Sequence, residues 1–250
     1  MVKFLKRYWL TLCIFVALFF AYKFIADNRL INAHLFPPVS EIEKSFSENR
    51  YLFLINMLYS FRLLIPAIII MVLLSLLIGL ALGMNRRLRD ALHPVIYTIS
   101  VVPSILLSPF ALMLAPNFWL ASLFLIVYGS MWSTVFATIT GIMTIDKRYL
   151  DNAATLELHG LKRLTKVILP AASPSIFAGF INSLSGSFVM LVYSEMYGAK
   201  YGMGFFVKKY SEFGMYNHTW SGFLFMVLVL VLVMQLFDRW KEYMLKWTIR

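Results

Sequence analysis

The chain reads as an all-α polytopic membrane protein with about six transmembrane helices and both termini cytoplasmic. Three observations predict this. Of its 250 residues 60% are hydrophobic and only 14% charged, and the mean hydropathy is +0.76, outside the range of soluble domains. Several apolar runs reach the roughly 20 residues that cross a bilayer core as a helix. In lipid such runs satisfy their own backbone hydrogen bonds as helices. Finally, lysine and arginine are distributed unevenly between alternate connecting segments.

The spans fall at approximately 9–25, 62–83, 94–114, 118–141, 174–196 and 221–237. The first is preceded by Lys3, Lys6 and Arg7, as a signal peptide would be. It is long for a signal sequence and lacks a small-x-small cleavage site, so it is read as a retained span. With the N-terminus inside, the N-terminal tail, residues 84–93, residues 142–173 and the C-terminal tail hold three, three, five and four basic residues. The outer segments 26–61 and 197–220 hold three each. This asymmetry accounts for the net charge of +11, which therefore calls for no nucleic-acid partner and identifies no anionic substrate. Cys13 is the single cysteine, which excludes an intrachain disulfide, and the four histidines lack ligand spacing, so no metal site is assigned.

In the first outer segment Pro37-Pro38 cannot sit inside a helix, and Ser40 followed by Glu43 resembles a capping box. Residues 40–60 are expected as one or two helices along the outer interface, either a connector or a docking surface for an external partner. In the third span Pro103, Ser104, Ser108 and Pro109 predict a kink with freed carbonyls; the serines either bond their own backbone or shape a pathway. The fifth span is unusually polar. Gly179, Ser183 and Ser187 recur at every fourth residue, the mark of close helix packing, which leaves Asn182 as the stronger pore candidate. Ionisable groups in spans are costly and hence functional candidates. Glu195, near the outer end of the fifth span, is either a cavity lining or a helix-terminal carboxylate. Arg62, at the outer end of the second span, is either path-facing or reaches for the interface.

Between the fourth and fifth spans lies "DNAATLELHGLKRLTKVILP", residues 151–170. Leu150, Ala153, Ala154 and Leu158 form a narrow apolar face on a short helix. Gly160 breaks that pattern. A second short helix carries Leu161, Leu164 and Ile168 on one side and Lys162, Arg163 and Lys166 on the other, with Pro170 and Pro174 separating it from the fifth span. Two helices this short are marginal alone and need a surface to cover them. That surface is the inner ends of neighbouring spans, anionic lipid, or a soluble partner.

This stretch resembles the EAA loop of bacterial ABC importer permeases, E-A-A-x3-G followed by thirteen positions ending in I-L-P. Ala153 falls on the second alanine and Ile168-Leu169-Pro170 on the ending; Asp151 replaces the glutamate, Asn152 the first alanine and Glu157 the glycine. "HLFPPVSEI" and "VVPSILLSP" resemble segments of the nitrate/sulfonate/taurine branch, and Glu195, Ala199, Gly202 and Gly204 reproduce its E-x3-A-x2-G-x-G stretch. The resemblance covers roughly residues 35 to 245. It implies a single permease domain over residues 1–250 with the type I ABC importer transmembrane fold in a bacterial inner membrane.

The resemblance further implies that two permease copies, as a homodimer, line a path, two cytoplasmic ATPase subunits drive it, and an extracytoplasmic substrate-binding protein delivers the cargo. ATP and magnesium belong to the ATPase, consistent with the lack of any G-x4-G-K-[ST] in this chain. The residues expected to couple to the ATPase are Leu150, Asp151, Ala153, Ala154, Glu157, Leu158 and Gly160. Those expected along the substrate path are Arg62, Ser104, Ser108, Asn182 and Glu195. Because glutamate resists the turn made by the family's glycine, the turn is expected to move to Gly160, lengthening the first helix by up to three residues. Substrates of the branch are sulfonates, taurine, nitrate and vitamin precursors. The competing readings are a membrane-embedded enzyme, which would need a catalytic pair or an H-E-x-x-H motif, and a structural or exporter subunit.

Overall fold

The computed structural model describes residues 2–246; Met1 and residues 247–250, which end the expected domain, lie outside them, as do the side chains of Lys3, Lys6 and Arg7. The described residues form helices α1 (Val2–Asp27), α2 (Val39–Glu48), α3 (Arg50–Met84), α4 (Arg86–Val101), α5 (Ser108–Leu114), α6 (Phe118–Met143), α7 (Lys147–Thr155), α8 (Gly160–Arg163), α9 (Leu169–Gly198), α10 (Met203–Glu212) and α11 (Tyr216–Met244), and no strand. Five helical stretches are long and apolar enough to cross a membrane, and a sixth arises if α4 and α5 count as one broken span.

At the centre α6 lies between α3 and α9, and each contact is set by missing side-chain volume. A β-carbon at Gly79 would come within 2.5 Å of Thr138, and one at Gly179 within 2.7 Å of the Ser133 carbonyl. Helix axes therefore approach closely where small residues face one another. Buried hydroxyls add hydrogen bonds across the same contacts. Thr134 Oγ1 donates to Ser183 Oγ at 2.8 Å, and Ser75 Oγ donates to the Met131 carbonyl at 3.1 Å. The spacing of Gly179, Ser183 and Ser187 is thus a packing seam. Leu64, Met71, Ile126, Val135, Leu184 and Leu191 fill the remaining interior.

Four expectations need correction. Residues 50–60 form no separate helix but begin α3, which runs unbroken for 35 residues. The reason is periodicity: Phe53, Asn56, Ser60, Leu63, Ala67 and Met71 are buried on one helical stripe that crosses the expected boundary. The separate short helix is α2 alone, and its N-terminus at Pro38 has no side-chain cap, so Ser40 and Glu43 form no capping box. The third span is broken rather than kinked. Its two parts meet at 79° around Pro103, with a 3₁₀ turn at Ser104–Leu107. Lastly, Pro170 and Pro174 do not separate a second amphipathic helix from the fifth span. Residues Gly160–Gly198 form one 39-residue helical stretch. A π turn over Leu164–Ile168, where the Leu169 amide donates five residues back to Leu164, precedes Pro170 and accommodates the missing donor.

Candidate functional site

The loop between α6 and α9 is built by its caps. Asp146 Oδ1 accepts the Arg148 amide at 2.9 Å and so opens α7, while Oδ2 takes the Arg148 guanidinium at 2.6 and 3.0 Å. Those bonds from Arg148 hold the Asp146 carboxyl well below its usual range, at about 2. Helix α7 ends where the Leu158 amide donates to Ala153 O at 2.9 Å and the Glu157 amide to Ala154 O at 3.0 Å. This pair is a Schellman motif, and its left-handed residue is Glu157, with φ +52°. The expected shift of the turn to Gly160 is therefore wrong. Glu157 occupies the glycine position in the glycine's own conformation, and α7 ends at Thr155 without lengthening. The six-to-one hydrogen bond outweighs the intrinsic resistance of a glutamate to this region, and Gly160 makes a second left-handed turn, at φ +53°.

The turn sorts the loop's side chains. Ala153 is buried and Leu150 and Leu158 are half-buried, whereas Asp151, Ala154, Glu157 and Gly160 are exposed. The apolar face expected from periodicity thus mostly turns inward, toward a cavity of about 600 Å³ between α7 and the base of α9, where Pro170 and Pro174 form part of the wall. The cavity is open, and two of its lining side chains, Tyr149 and Leu156, are largely exposed, Leu156 at 71%; Leu161, outside the cavity, is 78% exposed. Sequence periodicity placed Leu161 on the apolar side of the second short helix but missed Leu156, which sits at the end of α7 beside the reversal at Glu157, where no helical repeat applies.

At the opposite end of the bundle, three consecutive amides of the first turn of α10 meet three side chains. Gly202 N donates to Asn56 Oδ1 at 2.8 Å, Met203 N to Ser60 Oγ at 2.9 Å, and Gly204 N to Glu195 Oε2 at 2.8 Å. Glu195 is 2% exposed and sits at the floor of a cavity of about 560 Å³ walled by Tyr59, Phe118, Trp119 and Tyr201. Orphan amides at a helix start seek acceptors, and an acidic group there is favoured by the helix dipole. The E-x3-A-x2-G-x-G stretch is in this chain an anchored helix start. Asn56 and Ser60 could have been found as two polar residues four apart in an apolar run.

The remaining candidates are spread over the bundle. Ser104 is buried with Oγ donating to Met190 Sδ at 3.0 Å, and Ser108 Oγ donates to the Ile105 carbonyl at 2.7 Å and lies 3.1 Å from Tyr193 OH. Ser104 thus ties the broken span to α9, and Ser108 is engaged both with its own turn and with α9. Arg62 is exposed on α3 and has no hydrogen bond or ion pair among the described residues. Asn182 is exposed midway along α9 and likewise unpaired, in a groove of about 500 Å³ shared with Ser133, Thr140 and Ser175. No group of three or more metal-ligating side chains occurs among the described residues.

Comparison with known proteins gives a consistent set. The sequence profile of the binding-protein-dependent transport system inner membrane components matches residues 71–250. SsuC of Bacillus subtilis (strain 168), named for aliphatic sulfonate transport, is 27% identical over 70% of this chain and 63% of its own length. The nitrate import permease protein NrtB of Synechococcus elongatus is 29% identical over 53% of this chain and 48% of its own. The bicarbonate transport system permease protein CmpB of the same species is 27% identical over 69% and 61%. The chain spans between about half and two thirds of the length of these relatives.

Proposed function

The chain belongs to the binding-protein-dependent transport system inner membrane components, multi-pass permeases of ABC importers in the bacterial plasma membrane, and from that premise we propose that it forms the substrate path of an ATP-driven importer and couples to a cytoplasmic ATPase through residues 150–170. The observation that carries this reading is the exposed apolar set Tyr149, Leu156 and Leu161 on the capped α7 helix, its Glu157 turn and the first turn of the Gly160–Gly198 stretch. Exposed apolar side chains rimmed by charge mark a surface for a partner. Lys147, Arg148, Lys162 and Arg163 supply that rim.

The route from loop to path is mechanical. From Gly160 to Gly198 the chain is one helical stretch of 39 residues, about 57 Å at 1.5 Å per residue. A displacement at the α7–α8 turn is delivered along it to Asn182 at mid-height and to Glu195, which holds the start of α10, at the far end. The π turn and Pro174 are the places where this lever yields. ATP binding to a pair of ATPase subunits would draw two such loops together and reorient the path, with a substrate-binding protein delivering cargo on the α10 side. The basic segments at the α7 end support a cytoplasmic location for that end. The groove at Asn182 lines the path, and the chain itself binds no nucleotide. The cargo is a small organic or inorganic solute: the names of its relatives point to the sulfonate, nitrate or bicarbonate class, and the resemblance adds taurine and vitamin precursors.

The test is co-purification. The permease should retain its ATPase subunit from solubilised membranes, and Ala153→Glu, which puts a charge on a buried site under α7, should abolish retention while leaving the permease in the membrane. Undiminished ATPase retention and transport by Ala153→Glu and by Leu156→Asp would overturn the coupling role.

A further inference from the structure

The helical stretch from Gly160 to Gly198 is weakest near its base. Pro170 and Pro174 have no amide to give, so the carbonyls of Lys166 and Pro170 lose their α-helical donors. Ser173 Oγ donates to Pro170 O at 2.8 Å instead, and the π turn over Leu164–Ile168 lies just before. One side of this segment is also unsupported, since Val167, Pro170, Ala171 and Pro174 wall the open cavity of about 600 Å³. A displacement entering here is absorbed as local bending unless the helix beyond it is held.

Immediately beyond, α9 is gripped by two helices. A β-carbon at Gly141 of α6 would lie 2.9 Å from Ser175 Cβ, so α6 and α9 touch there without slack. From α11, the Trp240 ring meets Phe177 at 5.3 Å and 78°, and Phe237 meets Phe180 at 5.5 Å and 64°, both edge to face. A tryptophan at the end of a span is ordinary by itself. Trp240 differs in its place, on the first turn of α9 past Pro174. At its other end α11 holds two further helices. Gly222 makes room for Phe206 of α10, to whose ring a β-carbon would come within 2.5 Å, and α10 is tied to α9 by Glu195. Asn49 Nδ2, at the end of α2, donates to His218 Nδ1 at 2.9 Å, and Ser45 Oγ lies 2.6 Å from the same nitrogen and 2.8 Å from Ser221 Oγ. Helices α9 and α11 are thus joined at both ends.

From this arrangement we propose that α9 and α11 travel as one body, with Phe237 and Trp240 as positioning residues that carry a displacement of the α7–α8 turn past the weak segment and along α11 to α2. The inference rests on the coupling reading above and deepens it by naming the route to the α2 side. Packed helices slide as units rather than deform, so a grip just past the bend decides how much of the motion goes on. Helix α2 is then the output of the loop's movement on the side opposite the ATPase.

A fluorescence experiment tests this, using the full chain with its ATPase in nanodiscs and Cys13→Ser as the parent. Ser47→Cys, on the exposed face of α2, carries a bimane. Its emission is read without nucleotide and with ATP, magnesium and vanadate. The parent should respond, Trp240→Ala and Phe177→Leu should lose the response while keeping ATPase retention and basal hydrolysis, and Trp240→Phe should restore it. A merely structural role would lower retention and hydrolysis together. Two variants from opposite sides of the contact are used so that one poorly folded chain does not decide the result. An undiminished response in either retained variant, no rescue by Trp240→Phe, or a silent parent that retains its ATPase would overturn the route. A parent that retains no ATPase sinks the coupling reading itself.

Discussion

Gly204 hands its amide proton to Glu195 Oε2 at 2.8 Å, and Gly202, two residues earlier, leaves the carboxyl room to be there. A β-carbon on Gly202 would lie 2.6 Å from both Glu195 oxygens, and the backbone has φ +137°, which L side chains rarely adopt. The glycines are thus the negative image of a buried carboxyl. Gly202→Ala should be severely destabilising, by about 2 kcal/mol or more, since both the overlap and the backbone conformation are unfavourable. Glu195→Ala, which orphans the Gly204 amide, should cost about 1–3 kcal/mol. Thermal unfolding in detergent measures both. A wild-type midpoint for Gly202→Ala would show that α10 is not anchored this way.

Glu157 stores strain in the loop. A non-glycine residue in the left-handed region costs on the order of 1 kcal/mol, and the Schellman bonds on either side hold it there. Glu157→Gly should therefore stabilise the turn by up to about 1 kcal/mol, slow proteolysis between residues 155 and 160, and keep ATPase association. Glu157→Val, β-branched at the same φ, should do the reverse. Faster cleavage of the glycine variant would contradict the assignment.

The same residue shows what the sequence could and could not reveal. Spans and the loop's place between them follow from hydropathy and charge, because both act on whole segments. Residue-level outcomes depended on competition between local terms. Propensity alone moved the turn off Glu157, but two backbone hydrogen bonds decided otherwise. Proline rules alone cut the chain before the fifth span, whereas a π turn supplies the slack that Pro170 needs. The buried stripe through Phe53, Asn56 and Ser60 was visible as periodicity, yet two polar residues in it hid the continuation of α3. The partners of Asn56 and Ser60 lie more than 140 residues away in the chain, beyond the reach of any local pattern.

The cap at Asp146 predicts a pH dependence. Its folded pKa is lowered to about 2 from an ordinary value near 3.8, so the stabilisation is present in full above the unfolded value and is lost as pH falls toward 2. Hydrogen exchange of the α7 amides, corrected for intrinsic rates, should show constant protection from neutral pH down to about 4 and a decline below it. Asp146→Asn should flatten the decline, since an amide at the cap does not titrate in this range. A pH-independent protection in the parent protein would remove Asp146 as the group that opens α7.

The broken third span makes the last prediction, and it turns on one carbonyl. Ile99 O would normally receive an amide from residue 103, but that residue is proline and has none. Tyr128 OH, from α6, donates to it instead at 2.6 Å, with the Val102 amide at 3.2 Å. Next to Tyr128, Gly129 makes space for Ser104, whose Oγ would lie 2.5 Å from a β-carbon at that position. The 79° bend is therefore held by a hydroxyl cap and a glycine notch on adjacent residues of one helix. Tyr128→Phe removes one hydrogen bond and should cost about 1 kcal/mol. Gly129→Ala should push Ser104 off α6 and change the accessibility of the 102–107 turn. A cysteine at Ile105, in a Cys13→Ser background, would report that as a change in maleimide labelling rate. An unaltered rate in Gly129→Ala would mean the bend is set by Pro103 alone.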